Sequence, residues 1–199
     1  LRLCQGFLRP NTGSMEIDGH NIRHLSLDNY RSQNTLIDSK PVFFGATIEE
    51  NLRKVNPGIS EREFQEILEI SGLQKVLDQL QEGISTEINQ FGTPLSQGDR
   101  VTLALARGLM AMPRILLIDE ALANLDKSTQ ISFFENFSKI CDLKTVIMAT
   151  HDLRSTAQFE QIIVLEKGVV VGQGAHDELL KTCALYQELW AMEQKLTGT

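Results

Sequence analysis

The feature that most constrains the fold of this chain is a short apolar run, Ile115 to Ile118, that ends in two adjacent carboxylates, Asp119 and Glu120. A continuous apolar run of this length is typical of a strand buried on both faces in a parallel sheet. Open α/β sheets bind their ligands at the carboxyl ends of such strands. A carboxylate there could polarise an attacking water, although an ordinary strand end would show the same short pattern.

Two further segments flank this run at a regular spacing. Before it stands Leu95-Ser96-Gln97-Gly98-Asp99-Arg100, followed by a helical pattern, and after it the β-branched run Thr145 to Thr150 ends in His151-Asp152. This order resembles the nucleotide-binding domain of ABC transporters, with its signature loop, helix, Walker B strand, D-loop and switch histidine. The resemblance covers essentially all 199 residues, in order.

Three other segments extend the resemblance to exporter-type members of that family. Residues 41–52 look like the segment after the Q-loop, residues 86–92 stand where the X-loop stands, and residues 172–180 match the C-terminal stretch. The resemblance implies an α/β fold of the P-loop NTPase type: a mostly parallel sheet, flanking helices and an inserted helical subdomain at about residues 47–100. One nucleotide-binding domain over residues 1–199 is expected.

The resemblance also implies a role for each motif residue. Asp119 would bind Mg²⁺, Glu120 would act as the general base toward water, and His151 would contact the γ-phosphate of ATP. Asp126 looks like the D-loop aspartate, which is expected to organise a dimer interface rather than to catalyse.

The signature loop departs from the family's Leu-Ser-Gly-Gly-Gln. Ser96 and Gly98 are retained, and in the family their counterparts contact the γ-phosphate of ATP held by the other subunit. Gln97 adds bulk where glycine permits close approach of the backbone, and Asp99 places a negative charge near a polyphosphate. Both changes predict a weaker half-site, although the helix that follows Ser96 should present free N–H groups and a favourable dipole to an anion.

Two other parts of the family pattern are missing. Counting back from Pro41, Ser39 stands at the position of the Q-loop glutamine, which in the family touches Mg²⁺ and water and couples the site to the membrane domain. The chain also has no GxxxxGK[ST], the loop that cradles phosphates. Its first residues resemble the helix just downstream of that loop. A fragment is therefore expected, with a protein that has shed the loop as the alternative. Alone, the chain is expected to be inactive and to bind ATP poorly.

Composition excludes several classes of protein. The net charge of −7 and pI near 5.1 argue against nucleic acid as a partner. No apolar run reaches the roughly 18 residues that a membrane span needs, and no signal peptide is expected at the start, so any membrane association is expected through a partner or a missing upstream segment. The three cysteines lack metal-ligand spacing and fit reduced thiols. The sequence has no G-x-G-x-x-G, which excludes a Rossmann dehydrogenase. The nucleophile elbow of a Ser-His-Asp hydrolase needs glycine two residues before its serine. Pro94 stands at that position before Ser96, which argues against this class.

Periodicity predicts the remaining elements. Residues 1–8 are predicted to end a helix, and a capping box is predicted at Ser60–Glu63. His20, His24 and His176 are interpreted as surface or structural residues. The predicted strands are 14–18, 36–43, 145–149, 161–166 and 169–172. The predicted helical segments are 47–92, 96–112, 127–140 and a C-terminal amphipathic helix with Leu179, Leu180, Tyr186, Leu189 and Trp190 on its apolar face.

The function implied by the resemblance is the ATP-binding and ATP-hydrolysing domain of an ABC exporter. Its ligands would be ATP and Mg²⁺, and its partners a second such domain in a homo- or heterodimer and the transporter's membrane domain. It would lie at the cytoplasmic face of the membrane. The alternative is a degenerate, non-catalytic partner half or regulatory module. The altered signature and the absent glutamine favour that alternative, whereas Glu120 and His151 argue against it. A heterodimer with one degenerate site also fits.

Overall fold

The computed structural model describes residues 1–136, 139 and 144–197. The chain forms two compact units, Leu1–Ala149 and Thr150–Thr199. No helix among the described residues is long and apolar enough to cross a membrane. Cys4 and Cys183 are free thiols, as expected, and Cys141 lies outside the described residues.

The described residues of the first unit form strands, α-helices and three 3-10 turns, the last of which precedes α6. The strands are β1 (Glu16–Ile17), β2 (His20–Asn21), β3 (Asn34–Asp38), β4 (Ala46–Thr47), β5 (Glu87–Ile88), β6 (Ile115–Asp119) and β7 (Thr145–Ala149). The helices are α1 (Leu27–Ser32), α2 (Ile48–Arg53), α3 (Glu61–Ile70), α4 (Leu73–Leu77), α5 (Gln97–Met110) and α6 (Lys127–Glu135). The 3-10 turns are Ile22–His24, Gly83–Ser85 and Ala121–Asn124.

The second unit is smaller. Its chain begins with the 3-10 turn Leu153–Gln158, then forms the antiparallel strands β8 (Ile162–Glu166) and β9 (Val169–Gly174) and ends in helices α7 (His176–Thr182) and α8 (Ala184–Thr197).

The central sheet of the first unit is parallel and has the strand order β3–β6–β7. Leu116, Leu117 and Ile118 of β6 have no exposed surface, because β6 lies between the other two strands and its faces are covered. The predicted α/β fold with a parallel sheet and flanking helices is confirmed.

Helix α5 is packed tightly against β3. A Cβ atom added at Gly108 would lie 2.4 Å from Cδ1 of Ile37 and 3.0 Å from Cγ2 of Thr35. A Cβ atom there would force the buried side chain of Ile37 to shift, so the position favours glycine. The contact fixes α5, and therefore the signature residues at its N-terminus, relative to the sheet.

The predictions for residues 36–92 were partly wrong. Strand β3 ends at Asp38 instead of residue 43, and the predicted helical stretch is interrupted by β5, which pairs antiparallel with β4. Strands of two residues are too short to produce a readable alternation. The capping box at Ser60–Glu63 is confirmed at the start of α3. The boundary of the helical subdomain at about residues 47–100 stays a prediction.

The N-terminal residues have the hydrogen bonds of a helix end. The N–H of Phe7 donates to the carbonyl of Arg2, and the N–H of Gly6 donates to that of Leu3. Gly6 has a φ of +68°, as the glycine of a Schellman motif does. The expectation that residues 1–8 end a helix agrees with this pattern.

The core of the second unit lies between its hairpin and its helices. It is formed by Ile162, Val164, Leu179, Cys183 and Tyr186. The predicted single C-terminal helix is wrong, because Cys183 has extended backbone dihedral angles and separates α7 from α8. Leu189 is 39% exposed and does not join the apolar face.

The predicted helix 127–140 is described as α6, which ends at Glu135. Residues 137, 138 and 140 lie outside the described part of the chain.

Candidate functional site

The carboxyl ends of the parallel strands bring three of the predicted site residues, Ser39, Asp119 and Glu120, to one edge of the sheet. Asp38, Asp119 and Ala149 are partners in register at the ends of β3, β6 and β7. Neighbouring strands of a sheet lie about 4.8 Å apart. Ser39 and Glu120 therefore leave adjacent strand ends at the same edge of the sheet.

Glu120 leaves the strand in a strained conformation. Its φ and ψ are 51° and 14°, in the left-handed region that residues with a Cβ rarely adopt. Its N–H donates to the carbonyl of Ala149 at 3.0 Å, so the backbone stays tied to β7 while the chain turns. Such outliers cluster at functional sites, where the surrounding structure maintains them.

A third carboxylate, that of Asp38, lies at this edge, and the sequence analysis did not single it out. Asp38 Oδ1 accepts the N–H of Lys40 at 2.9 Å, and the Ser39 hydroxyl lies 3.4 Å from the same oxygen. The signal in the sequence was weak, since the strand was predicted to run on to residue 43. Only the parallel register places Asp38 beside Asp119.

The oxygen donors at this edge fit a magnesium ion. Mg²⁺ prefers oxygen ligands and is usually held by one or two carboxylates together with phosphate oxygens and waters. Asp119 and Ser39 offer a carboxylate and a hydroxyl at adjacent strand ends. Within the described ranges, no group of three or more His, Cys, Asp or Glu side chains could hold a metal ion by itself. The donor set therefore suits an ion that arrives with a nucleotide.

The signature residue Ser96 caps helix α5. Its Oγ accepts the N–H of Asp99 at 3.2 Å and donates to Asp99 Oδ2 at 2.6 Å. The backbone N–H of Ser96 donates to the same carboxylate at 3.3 Å, which completes a capping box. The N–H groups that were expected to be free at this end of α5 are therefore partly satisfied. The Asp99 carboxylate accepts the N–H of Ser96, and Ser96 Oγ accepts the N–H of Asp99.

The other two signature residues follow in the first turn of α5. Gln97 is exposed. Gly98 is half-buried, and its carbonyl accepts the hydroxyl of Thr102 at 3.1 Å. Their predicted contact with a partner's nucleotide stays a prediction.

Asp126 has a structural role that the sequence analysis did not anticipate. Its carboxylate accepts the hydroxyls of Ser128 at 2.5 Å and Thr129 at 2.6 Å, and the backbone N–H groups of both residues. These bonds, of which that from the Ser128 hydroxyl is the strongest influence, hold the pKa of Asp126 well below its usual range. Asp126 caps the start of α6, and its role at a dimer interface stays a prediction.

His151 belongs to the second unit, two residues after the end of β7 along the chain. Its side chain is exposed. The next residue, Asp152, caps the 3-10 turn by accepting the N–H of Arg154 at 3.2 Å. The expected contact of His151 with a γ-phosphate stays a prediction.

Comparison with known proteins identifies a family. The sequence profile of the ABC transporter family matches residues 1–123. The chain is 34% identical over 193 residues to the alpha-hemolysin translocation ATP-binding protein HlyB of Escherichia coli, covering 96% of this chain and 27% of that protein. It is 32% identical over 193 residues to ABC transporter B family member 14 of Arabidopsis thaliana, covering 96% of this chain and 16% of that protein.

A solved structure supports the same likeness. A bacterial Atm1-family ABC exporter with ATP bound superposes with a TM-score of 0.89 and 31% identity, over 96% of this chain and 34% of that chain. The chain spans between 16% and 27% of the length of the two relatives named above.

Proposed function

This chain belongs to the ABC transporter family, and we propose on that premise that it is the ATP-binding and ATP-hydrolysing domain of an ABC exporter. The observation that supports this most strongly is the end of β6. A fully buried central strand delivers Asp119 and Glu120 to the carboxyl edge of a parallel sheet, with Glu120 held in a left-handed conformation. That edge is where ligands bind in open α/β sheets.

In the proposed reaction Glu120 transfers a proton, and the other site residues position the phosphate and the metal ion. Glu120 accepts the proton of the water that attacks the γ-phosphate, and His151 donates a hydrogen bond to that phosphate. Asp119 and Ser39 would hold Mg²⁺, which would neutralise part of the phosphate charge. Most of the rate enhancement then comes from holding the groups in line.

A second copy of such a domain is the proposed partner at α5. Ser96, Gln97 and Gly98 begin this helix and would meet the nucleotide held by the other domain, in a head-to-tail pair. Asp126, at the start of α6, would lie at the same interface.

The membrane domain of the transporter is the second proposed partner. Val42, Phe44 and Phe91 are exposed apolar side chains on two adjacent segments, joined by the N–H of Phe43 donating to the carbonyl of Gln90 at 3.0 Å. Exposed apolar side chains grouped in this way are typical of interaction sites. Docking there would hold the domain at the cytoplasmic face of the membrane. The net charge of −7 does not favour nucleic acid as a partner.

The alternative function is a non-catalytic partner half or regulatory module. The hydrogen bond from the Ser96 hydroxyl to Asp99 is the observation in its favour, because that hydroxyl is expected to contact the partner's nucleotide. Relatives that are export and translocation ATP-binding proteins favour the ATPase instead. A transporter with one weak and one competent site satisfies both observations.

The substitution Glu120→Gln tests the proposal in the complete transporter. It keeps the side chain's shape and removes its ability to accept a proton, so the rate of ATP hydrolysis should fall about 100-fold to 10,000-fold. Glu166→Gln is the matched control, since Glu166 is an exposed carboxylate that also ends a strand. Unchanged hydrolysis in the Glu120 variant would exclude this residue as the base.

A further inference from the structure

The turn that follows His151 is held by hydrogen bonds within itself. The N–H of Asp152 donates to Oγ1 of Thr150 at 3.0 Å, and the hydroxyl of Ser155 donates to the carbonyl of Asp152 at 2.6 Å. Ser155 is buried. The backbone on either side of His151 is therefore tied to a short, rigid segment.

A chain of hydrogen bonds ties this turn to the C-terminal helices. The hydroxyl of Thr156 donates to the carbonyl of Leu153 at 2.6 Å and lies 2.8 Å from the hydroxyl of Tyr186. The Tyr186 hydroxyl lies 2.8 Å from Nδ1 of His176. Three side chains thus link the turn to α7 and α8.

The number of protons on each group determines which group donates in each of these hydrogen bonds. A carbonyl only accepts, so the single proton of Thr156 is used on Leu153. The Tyr186 hydroxyl must then donate to Thr156, and it can only accept from His176. His176 therefore carries its proton on Nδ1. Because an imidazolium also has a proton there, the chain is satisfied in both charge states of His176.

Burial makes this hydrogen-bond network rigid. Tyr186 is 1% exposed and Thr156 is 8% exposed, and a buried hydroxyl without a partner is unfavourable. The ring of His176 is held edge-on by Trp190, with 4.5 Å between the ring centroids. The hydroxyl of Tyr186 is thus the central link between the turn and the helices.

An ion pair forms a second tie between α8 and the same turn. Nε of Arg154 lies 3.1 Å from Oδ1 of Asp152 and 3.0 Å from Oε1 of Glu193. The side chains of Asp152 and Glu193 are each only 18% exposed. The residue directly after His151 is therefore joined through Arg154 to the C-terminal helix.

We propose that Tyr186 is a positioning residue for His151: its hydroxyl, oriented by His176 and assisted by the Arg154–Glu193 pair, fixes the turn that presents the histidine to the nucleotide. This inference rests on the proposed role of His151. Tyr186 acts through the turn and does not itself touch the nucleotide.

The first test is nuclear magnetic resonance of the 199-residue chain with Tyr186→Phe, which removes only the hydroxyl. The ¹⁵N shifts of His176 should change from those of a ring protonated on Nδ1, and the imidazole resonances of His151 should shift. The matched control is Tyr30→Phe, since Tyr30 is the other tyrosine, is buried and donates its hydroxyl proton to the carbonyl of Cys4. It should leave both histidines unchanged.

The second test is ATP turnover in the complete transporter. Tyr186→Phe should lower kcat about threefold to tenfold, the kinetic equivalent of one hydrogen bond, with KM for ATP changed less than about twofold. Tyr30→Phe should retain the original kcat. If Tyr186→Phe does not fold, Glu193→Gln replaces it and should shift the His151 resonances without loss of helix content.

The reference variant His151→Ala separates two failures. If it leaves turnover unchanged, the proposed function is wrong about His151 and the inference falls with it. If it lowers turnover while Tyr186→Phe matches Tyr30→Phe in both measurements, the inference alone is overturned. Unshifted His151 resonances in Glu193→Gln overturn it as well.

Discussion

Removing the charge of Asp99 should strengthen the contact of this domain with its partner's nucleotide. Oδ2 of Asp99 lies 2.6 Å from Oγ of Ser96, the atom expected to contact the γ-phosphate. Asp99→Asn keeps an oxygen that can accept from Ser96, so α5 should remain capped. The variant therefore changes charge with little change in structure.

The size of the effect follows from this geometry. A phosphate oxygen that takes the hydroxyl proton of Ser96 in place of Asp99, at about 2.8 Å, would lie within about 5.4 Å of the Asp99 carboxylate, which still accepts the backbone N–H of Ser96. Two like unit charges at that distance repel by about 1 to 3 kcal/mol for effective dielectric constants between about 80 and 20. The separation is shorter than the Debye length of about 8 Å at physiological salt, so screening is incomplete. The affinity should rise about fivefold to 150-fold.

The assay is ATP-driven closure of the two domains in the complete transporter, followed by fluorescence energy transfer as ATP is titrated. Half-maximal closure should occur at least about fivefold lower in ATP for Asp99→Asn. Glu63→Gln is the matched control, since Glu63 forms the same capping box with Ser60 at 2.5 Å in α3. An unchanged or higher midpoint for Asp99→Asn, or an equal shift in the control, would refute the electrostatic argument.

Two further predictions concern stability and are measured by urea unfolding. Gly108→Ala gains about 1 kcal/mol of helix propensity but places a Cβ 2.4 Å from buried Ile37, an overpacking of about 1 to 3 kcal/mol, so net destabilisation is expected; a more stable variant would contradict the packing. Asp126→Ala should destabilise the chain by about 1 kcal/mol at pH 7 by removing the cap of α6. Because the hydroxyls of Ser128 and Thr129 lower the pKa of Asp126 in the folded state, this stabilisation is present above the unfolded pKa near 3.9 and declines as the pH falls below it. An equal loss at pH 3 and pH 7 would refute that account.

Features that depend on a few consecutive residues could be predicted from the sequence. The capping box at Ser60 was predicted because its partner lies three residues away, and the β6 run was predicted from its continuous apolar character. The box at Ser96 was missed, although it has the same spacing. The comparison with Leu-Ser-Gly-Gly-Gln predicts repulsion between Asp99 and a phosphate, but it does not predict the hydrogen bond between Asp99 and Ser96.

Features that depend on distant pairs were not readable. Asp38 stands beside Asp119 only because β3 and β6 pair in one register, across about 80 residues of chain. The same is true of Tyr186, whose hydroxyl meets Thr156 thirty residues earlier. The sequence predicted Tyr186 on the apolar face of a helix and His176 as a surface or structural residue, and it contained no signal of the bond between them.

The sequence by itself determined the family, the α/β class and the end of the strand at which Asp119 and Glu120 stand, because these follow from local apolar pattern and motif order. The tertiary structure decided the local environment of each candidate residue by itself: the left-handed backbone of Glu120, the hydrogen bond between Ser96 and the Asp99 carboxylate, and the bond between Thr156 and Tyr186 in the turn that follows His151. The physical reason is that hydrogen bonds and close packing require atoms within about 3 to 4 Å, and only the folded chain brings distant residues that near.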